Sequence, residues 1–369
     1  MELFKRLFSC LFPCLKGDGR DKDAPLRSVS STEGFSVSHD SVQSPLSTPA
    51  VVNDGTAVAF TMAELNKATS NFSTTCKIGQ GGFGVVYKGK LADGRIVAIK
   101  RARKDLFEAR LTSQFLSEVN TLAKVEHLNL VKLIGYLEEG DERILVEEFV
   151  PNGNLRQHLD CEFGTVLDLY TRLDIAIDIS HALTYLHLYA GEPIIHRDVK
   201  ASNILLTDSL RAKVADFGFS RIGPLDSGAT HVVTQVKGTA GYLDPEYLKT
   251  YKLSSKSDVY AFGVLMIELL TGRRPIEHGR HVDEKITLRW AYGKFQKGRV
   301  EELLDPRLDT SMDALFVAEK MFEVAFPCVA PTRHERPTMK KVSEFLWMVR
   351  KDCQSLAQER PQNGGSRRS

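Results

Sequence analysis

Cysteine is sparse in this 369-residue chain, present only as Cys10, Cys14, Cys76, Cys161, Cys328 and Cys353. None forms a Cys-x-x-Cys pair and no metal-ligand spacing appears, so a disulfide framework and a zinc module are excluded and free thiols in a reducing compartment are expected. Charge of one sign is also missing. The 49 Lys and Arg nearly balance the 47 Asp and Glu, which leaves no footprint for a nucleic acid. No stretch approaches the ~18 uninterrupted apolar residues of a transmembrane helix. Position 2 is Glu, where N-myristoylation needs Gly. No internal repeat is present, so the length is to be divided among ordinary domains and linkers.

The N-terminus departs from the rest. Within residues 1–16, Leu3, Phe4, Leu7, Phe8, Leu11 and Phe12 form one apolar stripe at helical period, interrupted by Lys5 and Arg6 and ended by Pro13. An unbroken apolar core and a small-residue cleavage site are missing, so this is not a secretory signal. The stripe predicts peripheral membrane contact at the inner face of the plasma membrane, with Cys10 and Cys14 as acylation sites, because two acyl chains anchor stably where one is marginal. The plainer alternative is a frayed tail. Residues 17–58 are rich in Ser, Thr, Asp, Gly and Pro and poor in aromatics, and read as a disordered linker. Residues 59–71 open with Thr61 and Glu64, three apart, a capping box that predicts a short helix.

The chemistry is concentrated in His196-Arg197-Asp198-Val199-Lys200-Ala201-Ser202-Asn203 and in Asp216-Phe217-Gly218. This arrangement resembles the catalytic and metal-holding set of a protein kinase. The resemblance implies that Asp198 accepts the proton of a substrate hydroxyl and that Lys200 sits near the transferring phosphoryl group. It also implies that Asn203 and Asp216 offer oxygens to Mg²⁺ or Mn²⁺.

Upstream, Ile78-Gly79-Gln80-Gly81-Gly82-Phe83-Gly84-Val85-Val86 carries Gly-x-Gly-x-x-Gly-x-Val. Alone this is a weak signal, since dinucleotide folds use similar glycines. Here β-branched residues follow the last Gly, and Asp93-Gly94 then marks a hairpin turn. The loop therefore joins two strands, as the resemblance requires, and is expected to close over ATP. Ile96-Val97-Ala98-Ile99-Lys100 is similar to the Val-Ala-Ile-Lys strand, which makes Lys100 the α/β-phosphate ligand and Glu118 its ion-pair partner. Val86 and Ala98 would roof the adenine and Leu205 would floor it. Backbone groups of Glu148 and Val150, in a hinge-like stretch, would meet its edge. Glu147, just before that stretch, stands where many related kinases place Tyr. A carboxylate there must be solvated or paired.

The resemblance extends from Phe60 to about Arg350. It is strongest to the plant receptor-like cytoplasmic kinases, and among them to the calmodulin-binding group. Phe-Thr-x-x-Glu-Leu-x-x-Ala-Thr-x-x-Phe at 60–72 carries part of it. The implied fold is α+β and bilobal, with a small β-rich lobe and a larger helical one over 72–350, followed by a disordered tail at 351–369. Protein substrates and a membrane receptor kinase upstream are the implied partners. Lys200 and Ser202 fall where serine/threonine kinases carry Lys and a small residue. Arg197 implies a phosphate on the activation segment 216–246, with Thr230 and Thr234 the best candidates and Thr239 and Ser227 weaker ones. Thr239 is also expected to bond Asp198 and Lys200, Glu246 to pair with Arg336, and Asp258 to brace the catalytic-loop backbone. The basic amphipathic run at 100–124 is a candidate calmodulin segment, although the same apolar face would pack a regulatory helix. The competing readings are a non-catalytic pseudokinase scaffold and a calmodulin-responsive binding module. Every catalytic position carries the expected residue, which favours the enzyme.

Overall fold

The computed structural model describes residues 58–103, 108–223 and 231–359. The predicted anchor with Cys10 and Cys14, the linker up to residue 57, and Ser227 and Thr230 lie outside them.

The N-terminal lobe is a six-stranded sheet with two helices. The strands are β1 (Val58–Ala59), β2 (Lys77–Gln80), β3 (Gly84–Lys90), β4 (Ile96–Ala102), β5 (Leu133–Glu139) and β6 (Glu142–Glu148), in the order β1-β5-β6-β4-β3-β2. All neighbours are antiparallel except β1, which runs parallel to β5 with Val58 opposite Gly135 and Ala59 opposite Tyr136. Asp93-Gly94 makes the β3–β4 turn: Gly94 takes φ +89°, and the Asp93 carboxylate accepts from the Arg95 amide at 2.9 Å. Helix α1 (Met62–Ala68) starts on the expected capping box. Thr61 accepts from the Glu64 amide at 3.3 Å, and Glu64 accepts from the Thr61 amide at 2.8 Å. Its Leu65 is fully buried among Val97, Ile99, Leu137 and Ile144, a burial that contributes about 1.5–3 kcal/mol. Helix α2 (Glu108–Leu122) buries Phe115, Val119 and Leu122 against the sheet, and the Phe115 ring meets Tyr136 of β5 edge-on at 6.1 Å.

The C-terminal lobe is mainly helical: α3 (Leu155–Leu159), α4 (Leu169–Leu188), α5 (Pro245–Thr250), α6 (Ser255–Thr271), α7 (Thr287–Phe295), α8 (Met312–Cys328) and α9 (Met339–Glu359). Short strands β7 (Ile194–Ile195), β8 (Ile204–Leu206), β9 (Ala212–Val214) and β10 (Arg221–Ile222) frame the catalytic loop, and β11 (Val232–Val233) pairs with β12 (Lys252–Leu253). Helix α6 is buried on all sides from Ser257 to Thr271, as its all-round apolar sequence requires. It ends at Gly272, whose φ of +67° supplies the left-handed C-terminal turn.

Two expectations are corrected here. The tail does not begin at 351, because α9 runs on to Glu359. Its inward stripe of Val342, Leu346 and Val349 continues through the buried Cys353, so packing carries the helix past residue 351. Arg336 pairs not with Glu246 but with Asp244, at 2.7 Å and with both side chains buried. Glu246 instead meets Arg333, whose Nε lies 3.6 Å away and whose amide donates to it. Asp244 is the N-cap of α5, so its side chain turns inward, while Glu246 in the first turn faces outward.

Candidate active site

A cleft of about 470 Å³ lies between the lobes. Ile78, Gly79, Gln80, Gly81, Gly82, Phe83 and Gly84 line it on one side with Val86, Ala98 and Lys100. Glu147, Glu148 and Val150 form the rear and hinge, and Asn203, Leu205, Ala215 and Asp216 the floor. Val85, expected among the nucleotide contacts, does not line the cleft. Strand alternation turns it to the face opposite Val86. Glycine is required at position 84, where a Cβ would fall 1.9 Å from the Arg101 carbonyl oxygen. At Gly81 and Gly82 a Cβ would meet nothing within 4 Å. Nothing within the described chain demands glycine there, and the bare backbone leaves room for a ligand to approach.

Lys100 is the hub of the upper site. Its ammonium donates to both carboxylate oxygens of Glu118, at 3.1 and 3.0 Å, and to Asp216 Oδ1 at 3.0 Å. Phe83 of the glycine-rich loop lies under it, 4.9 Å from ring centre to Nζ. Burial pulls the Lys100 pKa down, but the Asp216 and Glu118 charges outweigh it and hold the group above its usual range. For Asp216 burial acts upward, and the Lys100 charge and hydrogen bond outweigh it, keeping the carboxyl low. Glu118, fully buried, is raised by desolvation despite Lys100.

In the catalytic loop Lys200 donates to Asp198 Oδ2 at 2.6 Å and to Thr239 Oγ1 at 2.9 Å, and the Thr239 hydroxyl donates to Asp198 Oδ1 at 2.6 Å. The Asn203 amide donates to the Asp198 carbonyl at 2.9 Å, which leaves its own side-chain oxygen as an acceptor at the cleft floor. Asp258 braces this loop from α6. Its carboxylate accepts from the amides of His196 and Arg197, each at 2.9 Å, and contacts His187 Nε2 at 2.8 Å. Arg197 and Asp216 both hold left-handed backbones, φ +70° and +67°. Such conformations cost energy and persist only where surroundings fix them. The Arg197 guanidinium donates to the Gln235 carbonyl at 2.8 Å and to the Tyr247 hydroxyl at 2.6 Å, so it holds the activation segment one residue from Thr234.

Some contributors were not foreseen. Ala215 joins Val131, Val150 and Leu205 in the apolar floor. Ser117 and Thr121, four apart on α2, bond Ser220 beyond Asp-Phe-Gly. Thr121 Oγ1 lies 2.7 Å from Ser220 Oγ, and Ser117 donates to the Ser220 carbonyl at 3.0 Å. Their i, i+4 spacing beside Glu118 was the available signal. Glu147 is neither solvated nor given a cation of its own. It is 9% exposed, its Oε1 has no hydrogen-bond partner among the described residues, and its carboxyl contacts that of Glu118.

Comparison with known proteins agrees with this geometry. Residues 72–348 match the protein kinase domain family, so this chain belongs to the protein kinases and carries their bilobal α+β fold. Within them it falls among the plant receptor-like cytoplasmic kinases. It is 58% identical to the calmodulin-binding receptor-like cytoplasmic kinase 2 of Arabidopsis thaliana, over 82% of this chain and 75% of the relative. It is 59% identical to kinase 3 of that series, over 79% of this chain and 57% of the relative. With kinase 1 the identity is 56%, over 80% and 63%. The chain thus spans under two thirds of the latter two. This is a protein serine/threonine kinase, a class that uses ATP and a divalent metal. No helix among the described residues is long and apolar enough to cross a membrane.

Proposed function

We propose that the chain transfers the γ-phosphoryl group of Mg-ATP to Ser or Thr of protein substrates in plant signalling, and that activation-segment phosphorylation regulates it. The carrying observation is the Asp198–Lys200–Thr239 triangle set beside Asn203 and Asp216. Asp198 holds and accepts the hydroxyl proton. Lys200, already bonded to Asp198, stands ready to balance charge that develops on the transferring group. Lys100 takes the α- and β-phosphates, with Glu118 fixing its direction. Asn203 and Asp216 offer two hard oxygens to one cleft, a donor set that suits Mg²⁺, which keeps several waters and shares its coordination with phosphates. Bound there, the metal would neutralise triphosphate charge. Thr239 shares its hydroxyl between Asp198 and Lys200, contacts a phosphate there would break. The regulatory sites are therefore assigned to Thr230 and Thr234, with Arg197 as the phosphate partner.

Autophosphorylation of the purified protein with Mg-ATP, beside Asp198→Asn, tests this reading, with sites mapped by mass spectrometry. Label on Thr230 or Thr234 in the wild type alone supports it. No label in either folded protein would favour the scaffold.

The relatives' names favour a second property, Ca²⁺–calmodulin binding by 100–124. The buried Phe115, Val119 and Leu122 mean that α2 must leave the lobe to be captured. A Ca²⁺-dependent gel shift of the 100–124 peptide is expected, and no shift would remove the reading. Membrane residence through Cys10 and Cys14 is tested by fractionating the double Cys→Ser variant; unchanged association would exclude acylation as the main anchor.

A further inference from the structure

Three acids face one ammonium at the rear of the cleft. Lys100, from β4, spends all three of its N–H bonds on Glu118 Oε1 and Oε2 and on Asp216 Oδ1. Glu118 faces the site from α2 and Asp216 from the loop after β9. Glu147 enters from β6, opposite Ala98 on β4 and Leu133 on β5, neither of which can pair with it. With Glu118 and Asp216 ionised, the cluster already carries one excess negative charge. A third carboxylate would add another on a side chain that is itself buried, next to a carboxylate it touches.

We propose that Glu147 stands in this cluster as a neutral acid hydrogen-bonded to Glu118, a positioning residue that keeps Lys100 available to a polyphosphate. The proton lies on the Glu147 carboxyl and is donated to a Glu118 oxygen. This satisfies Glu118 beyond what Lys100 provides and leaves the unpartnered Oε1 as a neutral carbonyl oxygen. A buried carbonyl without a partner costs far less than a buried charge without one. Burial pushes the Glu147 pKa up to about 8, the Glu118 charge adds to the rise, and Lys100 opposes it. Losing the proton would place a second negative charge beside the phosphates' own and set Glu147 against Glu118.

The inference rests on the cleft being the Mg-ATP site. Its test is calorimetric Mg-ATP affinity of the full chain between about pH 7 and about pH 9.5, for wild type and Glu147→Gln. Gln keeps an N–H donor for Glu118 but cannot ionise. The wild-type Kd should rise by up to about tenfold per pH unit above the midpoint, and Glu147→Gln should lack that rise. The infrared carbonyl band of a protonated carboxylic acid should be present in the wild type near neutral pH and fade across the same interval, and the part that fades should be missing from Glu147→Gln. A pH-independent wild-type Kd, an equal slope in Glu147→Gln, or no such band overturns the proposal. Failure of Mg-ATP to bind the wild type at about pH 7 would overturn the reading of the cleft instead, and the infrared band would still decide the state of Glu147.

Discussion

The Arg336 pairing gives the sharpest stability test, because two acids two residues apart compete for it. Arg336 is fully buried. It donates to Asp244 Oδ1 at 2.7 Å, to the Ala330 carbonyl at 2.8 Å and to the Lys256 carbonyl at 3.0 Å, and it lies 5.0 Å over the Tyr260 ring. Asp244 also accepts from Ser257 at 3.0 Å and from the Glu246 amide at 2.9 Å. Asp244→Asn leaves the guanidinium buried without its counter-charge, a change that costs about 3–5 kcal/mol. In a domain this size it should lower the melting temperature by on the order of 5–15 °C. Glu246→Gln keeps an oxygen for the Arg333 amide and weakens only a partly exposed pair, so its cost should stay below about 1 kcal/mol. Replacing both partners, Arg336→Met with Asp244→Leu, should recover much of the loss, since a buried pair is often matched by apolar groups of similar size. Urea and thermal unfolding of the four proteins would decide. A larger loss in Glu246→Gln than in Asp244→Asn would refute the assignment.

Other outcomes follow from single contacts. Lys100→Met removes the cation shared by Glu118 and Asp216 and should lower kcat by about 10²–10³-fold, in a steady-state assay on protein shown to be folded; a change under about threefold would contradict the hub role. Asp258 is raised by burial but held low overall, by the His187 hydrogen bond and charge, by the His196 charge and by the Arg197 amide. Its contribution to stability is therefore present above the ordinary Asp pKa and lost as pH falls through the lower folded value. Asp258→Asn should flatten that acid limb in unfolding measured across pH, and an unchanged limb would assign it elsewhere. At Gly135 a Cβ would lie 2.1 Å from the Val58 carbonyl oxygen and 2.5 Å from the Phe60 ring. Gly135→Val should thus detach β1 and speed proteolytic cleavage just before Phe60, whereas an unchanged rate would mean that β1 adjusts. The 100–124 peptide should bind Ca²⁺–calmodulin far more tightly than the folded protein. Exposing three apolar side chains at about 1.5–3 kcal/mol each opposes capture, so equal affinities would show that α2 is not the site.

Much of the site was legible because its chemistry is carried by residue identity at short spacing. Asp198, Lys200 and Asn203 lie within one loop, and their mutual bonds need no distant partner. Lys100 and Glu118 were legible for a second reason: a strand signal and an inward helix face fix where each must point. The Arg336 partner was not, because Asp244 and Glu246 differ only in whether a cap turns inward, which is decided by the start of α5. The end of α9 was hidden for the opposite reason. The polar residues after Arg350 outweigh Cys353 by eye, yet that one buried side chain extends the inward stripe. Glu147 was recognised as anomalous, but its environment is a sum over three elements distant in sequence, and only the fold brings Glu118 and Asp216 to it.

The strand that nothing in the sequence announced bears on the same cluster. Residue Ala59 lies opposite Tyr136, and the Phe60 amide donates to the Tyr136 carbonyl at 2.9 Å. The Tyr136 ring in turn backs Phe115, one turn of α2 before Glu118. Close packing transmits small displacements because interiors leave no slack. The sheet edge formed by β1 and the ion pair at Lys100 are therefore joined through one strand and one helix face. On this argument Gly135→Val acts twice, first on the edge and then on the direction of Glu118. Lost activity with an intact C-terminal lobe, rather than global unfolding, is the signature that separates this path from simple destabilisation.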